Sequence, residues 1–168
     1  MDDMFMIRGA EPKDYEKILE ILNHAIALRS VTALLTPVTM EKRKQWFKDH
    51  EDGIHRIFVA TTEKNEVVGW MAINAYRNGR EGFDGACEVS YYVEPTCQQK
   101  GVASRLMEHV IESGRQTGLT HLMLIIFSTN QPSLRLAHRF GFRIWGTFPE
   151  IVNIDGKVMD CYQLGLRL

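Results

Sequence analysis

The stretch Glu88-Val89-Ser90-Tyr91-Tyr92-Val93-Glu94-Pro95-Thr96-Cys97-Gln98-Gln99-Lys100-Gly101-Val102-Ala103-Ser104 passes from a strand through a short loop into a helix. The strand begins at Cys87, and its period of two puts Glu88, Ser90 and Tyr92 on one face and Val89, Tyr91 and Val93 on the other. It ends at Glu94-Pro95. From Gly101 onward, Val102, Leu106, Val110 and Ile111 form the apolar stripe of a helix. The first amides of a helix have no intrahelical partner, and the helix dipole favours negative charge beside them. Small residues at Gly101 and Ala103 let a ligand come close to that backbone, so the loop suits a pyrophosphate. By itself, Gly-x-Ala fits a plain strand–helix turn better than a binding loop. It is not a dinucleotide fingerprint, because the third glycine and the distal acid are missing. Nor is it a P-loop, which needs Gly-Lys-Ser/Thr after a longer glycine loop.

Upstream, residues 4–7 read as a first strand. An amphipathic helix follows, carried by Tyr15, Ile18, Leu19, Leu22 and Ile26, with Pro12 near its start. Residues 29–37 lack a period and form a loop, after which Thr39 caps a second helix holding Trp46 and Phe47. Residues 57–61 and 67–73, separated by Glu63-Lys64-Asn65-Glu66, make an antiparallel hairpin. The glycine-bearing segment 78–85 is a loop.

Downstream, Gly118 ends the helix that Gly101 opened. Residues 122–127 form a buried strand by their unbroken hydrophobicity. Pro132 takes the first position of another helix, which Gly141 stops, and residues 142–148 are a strand. Asp155-Gly156 signals a tight hairpin. This order predicts an α+β, three-layer domain built on a mixed sheet.

The 168 residues are 45% hydrophobic and 24% charged, which suits one domain, residues 1–168. A chain of this size buries roughly 70% of its unfolded surface and needs neither disulfides nor a structural metal. A formal net charge of −1, from 20 basic and 21 acidic side chains, gives no electrostatic case for nucleic acid or an anionic membrane. Cys87, Cys97 and Cys161 form no Cys-x-x-Cys pair and suit a reducing compartment. Met1-Asp2-Asp3 is acidic where a secretory signal is basic, and the apolar run 122–127 is too short to span a bilayer. The expectation is a cytoplasmic protein without a metal.

The chain resembles the GCN5-related N-acetyltransferase (GNAT) superfamily, whose Gln/Arg-x-x-Gly-x-Gly/Ala pattern is matched by Gln98, Gly101 and Ala103. Asn130 and Gly141-Phe142 fall where that superfamily has them. Within it, the chain is similar to the phosphinothricin (methionine sulfoximine) acetyltransferase-like family. That likeness is carried by Glu88, Ser90, Tyr92, Val93 and Pro95, by Asn130, Pro132 and Ser133, by Ile7-Arg8 and Leu22-Asn23-His24-Ala25, and by Gly156 and Asp160. The resemblance implies the GNAT fold, a mostly antiparallel sheet of six to seven strands with about four helices. It also implies direct transfer of an acetyl group from acetyl-CoA to the primary amine of a small amino acid-like substrate, and a homodimer.

By the same resemblance, the strand from Glu88 to Val93 splays from its neighbour and pairs with the pantetheine arm. Gln98, Gln99, Lys100, Gly101, Val102, Ala103 and Ser104 hold the pyrophosphate. Asn130 and Ser133 lie beside the arm, and a backbone N–H of Tyr92 or Val93 supports the thioester oxygen, an effect worth roughly 3–4 kcal/mol. An amine is mostly protonated at neutral pH and must lose a proton to attack, so Glu88 is the candidate base. A salt-bridged strand carboxylate is the alternative. Thr32, Tyr76, Arg80 and Phe83 are the candidate substrate contacts. Arg80 suits an anionic group, or equally faces solvent. Leu34 and Leu35, where the family carries an acidic or aromatic residue, favour an apolar side chain such as that of methionine.

One position departs from the pattern. Ala137 stands where the superfamily has Tyr, or the narrower family His, to protonate the leaving thiolate. The neighbouring His138 points about 100° away on a helix. Two rivals remain open: a protein or peptide amine as acceptor, and a non-catalytic acyl-CoA-binding module.

Overall fold

The structure, a computed structural model, describes residues 5–168; the part of the expected first strand at Met4 lies outside them. Strand β1 (Met6–Gly9) leads through a 3-10 turn at Pro12–Asp14 into helix α1 (Tyr15–Ala27) and then α2 (Met40–Lys48). Strands β2 (Ile57–Thr61), β3 (Val67–Ala75) and β4 (Ala86–Val93) follow. Then come α3 (Val102–Gln116), β5 (His121–Phe127), α4 (Gln131–Arg139), β6 (Arg143–Ile154) and β7 (Lys157–Arg167). The strands form one seven-stranded sheet in the order β1-β2-β3-β4-β5-β7-β6, antiparallel throughout except between β4 and β5.

Two cores lie on opposite faces of the sheet, which is the three-layer arrangement. On one, Ile18, Leu22, Ile26 and Phe47 from α1 and α2 pack against Val59 and Trp70. On the other, Val102, Leu106, Val110, Leu134 and Phe142 pack against Met71, Val89, Leu122 and Leu124. The strand alternation read from the sequence sorts β4 correctly, with Val89 in one core and Tyr92 packed against the other.

Several local readings hold. Thr39 caps α2 by accepting a bond from the Lys42 amide at 3.4 Å. Gly118 and Gly141, at φ +80° and +90°, end their helices in the left-handed region. Asp155 and Gly156, at φ +52° and +86°, make the tight turn between β6 and β7. Other details differ. Pro132 is the second residue of α4, since Gln131 is the first. Ile125 is 44% exposed, because α1 and α2 cover β3 and β4 but stop short of β5.

β6 continues past residue 148 to Ile154 through a bulge at Pro149-Glu150-Ile151. The Asp160 carboxylate holds that bulge by accepting the Glu150 amide at 2.9 Å.

Two features position the site. β4 and β5 pair only from Ala86/His121 to Glu88/Met123, although β4 runs on to Val93 and β5 to Phe127. Beyond Glu88 the two strands therefore part and leave a notch in mid-sheet. Gly69 on β3 sits beneath the start of α3. A Cβ there would come within 2.9 Å of the Val102 side chain, so glycine lets the mouth of the helix close onto the sheet.

Candidate active site

The loop 98–101 turns tightly, with Gln99 at φ +63° and Gly101 at φ +85°. Gly101 needs that freedom, because an L side chain is strained there. Its carbonyl accepts the first α-helical bond of α3, from the Arg105 amide at 3.1 Å. Among the described residues, the amides of Gln99, Gly101, Val102, Ala103 and Ser104 make no backbone bond, whereas the Gln98 amide reaches the Pro95 carbonyl at 3.5 Å. This is the open mouth expected of an anion cradle. Lys100 lies exposed on the same turn. Arg139, at the end of α4, donates to the Ser104 hydroxyl and so brings a second cation to the mouth, one that the sequence pattern did not single out.

The notch supplies main-chain groups. The Glu94 amide bonds to the Val68 carbonyl at 2.8 Å, which fixes the phase of the β3–β4 ladder. By alternation, Tyr92 and Ser90 turn their N–H and C=O groups to β3, and Val93 and Tyr91 turn theirs into the notch, as does the Val89 C=O, while the Val89 N–H completes the pairing with β5 at Met123. Of the two expected amides, Val93 therefore faces the notch and Tyr92 faces β3. Asn130 caps α4, its Oδ1 accepting from the Ser133 amide at 3.3 Å. Ser133 lies beside the Tyr91 hydroxyl. Open helix-mouth amides next to a strand edge with free amides suit the pyrophosphate and pantetheine of coenzyme A.

On the opposite face, Glu88, Ser90 and Tyr92 line a cavity of about 180 Å³ with Leu22, Leu34, Arg43, Trp46, Trp70 and Asn74. Burial raises the Glu88 carboxyl above the usual carboxylate range, and among the described residues the carboxylate has no hydrogen-bond partner. Asn74 organises the floor. Its Nδ2 donates to the Glu88 carbonyl (3.1 Å) and the Ser90 hydroxyl (3.2 Å), and its Oδ1 accepts from Trp46 Nε1 (3.1 Å). His50 Nε2 lies 3.1 Å from the same Oδ1. Thr32 is buried beside the Tyr92 hydroxyl, so the loop 29–37 closes over this side of the cavity. Asn23 holds that loop's return by clamping the Val38 backbone, N–H at 2.8 Å and C=O at 3.0 Å.

The remaining expected contacts fall elsewhere. Tyr76 and Phe83 meet edge to face at 5.7 Å and line a second cavity with His55 and Asp84, and the Tyr76 hydroxyl accepts from Gln163 at 2.8 Å. Arg80 is exposed and lines neither cavity. Ala137 is fully buried, and His138 is exposed, with its Nδ1 3.2 Å from the Phe142 carbonyl just past the helix end. Arg43, Trp46, Trp70 and Asn74 were not picked out from sequence. The available signals were an amide, Asn74, within the apolar run of β3 and an Arg-x-x-Trp pair on one face of α2.

The acetyltransferase (GNAT) family matches residues 20–142, and the chain belongs to it. The enzyme is an acetyl-CoA-dependent N-acetyltransferase. It is 38% identical over 162 residues to YwnH of Bacillus subtilis, covering 96% of this chain and 98% of that protein. It is 33% identical to the L-methionine sulfoximine/L-methionine sulfone acetyltransferase of Pseudomonas aeruginosa, over 96% of this chain and 94% of the relative. Among solved structures, yncA of Salmonella typhimurium with its cofactor acetyl-CoA superposes with a TM-score of 0.90. That match has 28% identity and covers 98% of this chain and 94% of that one.

Proposed function

We propose that the enzyme acetylates the primary amine of a small amino acid of the phosphinothricin or methionine sulfoximine type, by direct transfer within a ternary complex. The observation that carries this reading is the pairing of an unpartnered, half-buried Glu88 with a notch and helix mouth on the other side of the same strand. The name of the Pseudomonas relative supports the amino acid class.

Acetyl-CoA supplies the activated acetyl group. The open amides of residues 99 and 101–104 hold its pyrophosphate, with Lys100 and Arg139 adding positive charge. Val89, Tyr91 and Val93 offer notch-facing main-chain groups to the pantetheine arm, with Asn130 and Ser133 alongside, and the Val93 amide supports the thioester oxygen. Fixing both reactants this way contributes up to about 7–11 kcal/mol toward the barrier. Glu88 takes a proton from the substrate ammonium, directly or through a water. Thr32 braces Tyr92 at the cavity wall. Solvent protonates the thiolate, since Ala137 has nothing to donate. Cys87, pushed up to about 11 by burial, is no ready nucleophile, which favours direct transfer over an acyl-enzyme.

The test is coenzyme A release on a panel of methionine sulfone, phosphinothricin, free lysine and peptide amines. The two amino acid analogues are expected to turn over. Turnover confined to peptides, or acetyl-CoA binding without release on any amine, would overturn the assignment.

We also place the enzyme in the cytoplasm, working without a metal, and as a homodimer. No helix among the described residues is long and apolar enough to cross a membrane. Ile144, Trp145, Phe148, Ile151 and Val158 stand exposed on the β6–β7 hairpin, an apolar surface suited to a second copy. Sedimentation should show a dimer that Ile151→Asp shifts to monomer; a monomeric wild type would refute it.

A further inference from the structure

Among the described residues, Arg43 carries the only cationic side chain lining the cavity that holds Glu88. Its guanidinium lies over the Trp46 ring at 5.0 Å. Among the described residues it makes no side-chain hydrogen bond and no ion pair. Glu88, on β4, is likewise unpartnered, so the two opposite charges share one small chamber without meeting. Tyr92 stands within electrostatic reach of both.

A half-buried guanidinium without an anion is a cost the fold carries unless a ligand repays it. A guanidinium laid on an aromatic ring is pre-organised, and its planar fork matches a carboxylate. Leu22, Leu34, Trp46 and Trp70 give the lining an apolar side, and Asn74, Ser90 and Tyr92 add neutral polar groups. A molecule with an ammonium at one point, a carboxylate at another and an apolar side chain answers the charged and apolar walls of this chamber.

We propose that Arg43 binds the substrate's own carboxylate and thereby selects free amino acids over amines that lack one. The inference rests on Glu88 marking the amine end of the site. Arg80, the arginine suggested by resemblance, is exposed and lines neither this cavity nor its neighbour. The placement also disfavours a peptide's residues as acceptors, except at a position where a carboxylate lies close to the amine.

The experiment is equilibrium binding to the CoA-loaded protein, by calorimetry, of methionine sulfone and of its carboxamide. The carboxamide keeps the amine and side chain but removes the carboxylate charge. Wild type should prefer the acid by roughly 10- to 100-fold, the range of a charge-assisted hydrogen bond. Arg43→Met should lose that preference through weaker binding of the acid, with the carboxamide unchanged, which also shows that the chamber is intact. Arg43→Lys should restore part of it, and Arg80→Met should keep it. Retention of the preference in Arg43→Met, its loss in Arg80→Met, or no preference in wild type would each overturn the proposal. Wild type that binds with the preference yet acetylates nothing would refute the transferase reading and leave the Arg43 assignment standing.

Discussion

Glu88→Gln is expected to lower kcat/KM for the amine by roughly 10²- to 10⁴-fold, with acetyl-CoA affinity unchanged, while making the fold more stable at neutral pH. Both effects follow from one geometry. Glu88 faces the substrate cavity, and the groups offered to the coenzyme lie in the notch and at the helix mouth. Burial raises its carboxyl, so the folded protein holds that proton more tightly than the unfolded chain does. Between the ordinary carboxylate value and the raised one, the native state binds more protons, and stability falls as pH rises through that window. Above the raised value, the wild type carries an unpaired, half-buried charge that glutamine lacks. Below the ordinary value, the stability difference should close. The acid limb of the wild-type kcat/KM profile should lie above the usual carboxylate range and vanish from the residual activity of the variant. Thermal melts across pH and rate profiles read both. Near-wild-type turnover would remove Glu88 from the chemistry, and a fall in stability at neutral pH would show that its carboxylate is paired.

Ala103→Asp should abolish most coenzyme binding without harming the fold. Residue 103 is second in α3, where a carboxylate is favoured by the helix dipole by roughly 0.3–1 kcal/mol. A purely structural turn would therefore tolerate or welcome the change. A pyrophosphate seated on the same amides would meet a fixed negative charge at close range. A cost of about 3 kcal/mol, or roughly 100-fold in Kd, is the scale expected for such a pair near a surface. Calorimetry with acetyl-CoA, alongside a melting curve, separates the cases. An unchanged Kd would show that the phosphates lie elsewhere.

The element order, both glycine helix stops and the Asp155-Gly156 turn were legible in the sequence because each depends on local backbone preference. Glu88 and the 98–104 loop were legible because strand alternation and a helix start are also local. The notch was not. Nothing in residues 89–93 marks where pairing with β5 ends, since that depends on how two strands distant in sequence diverge. Ile125 was misread for a related reason: an unbroken apolar run implies two covered faces, and only the packing shows that the α1–α2 layer stops at β4. Arg43, Trp46 and Asn74 come from two elements that meet only in the fold, through the Trp46–Asn74 bond at 3.1 Å. No spacing rule joins them.

The parted strands have an evolutionary consequence. An edge that presents N–H and C=O groups is inherited with the path of the chain and not with any one side chain. Substitutions at 89, 91 or 93 that keep the strand extended leave it nearly intact, whereas proline at 93 would delete a donor outright. Selection can therefore rework the chamber across the sheet, trading one amine for another, while the grip on the shared donor molecule drifts very little.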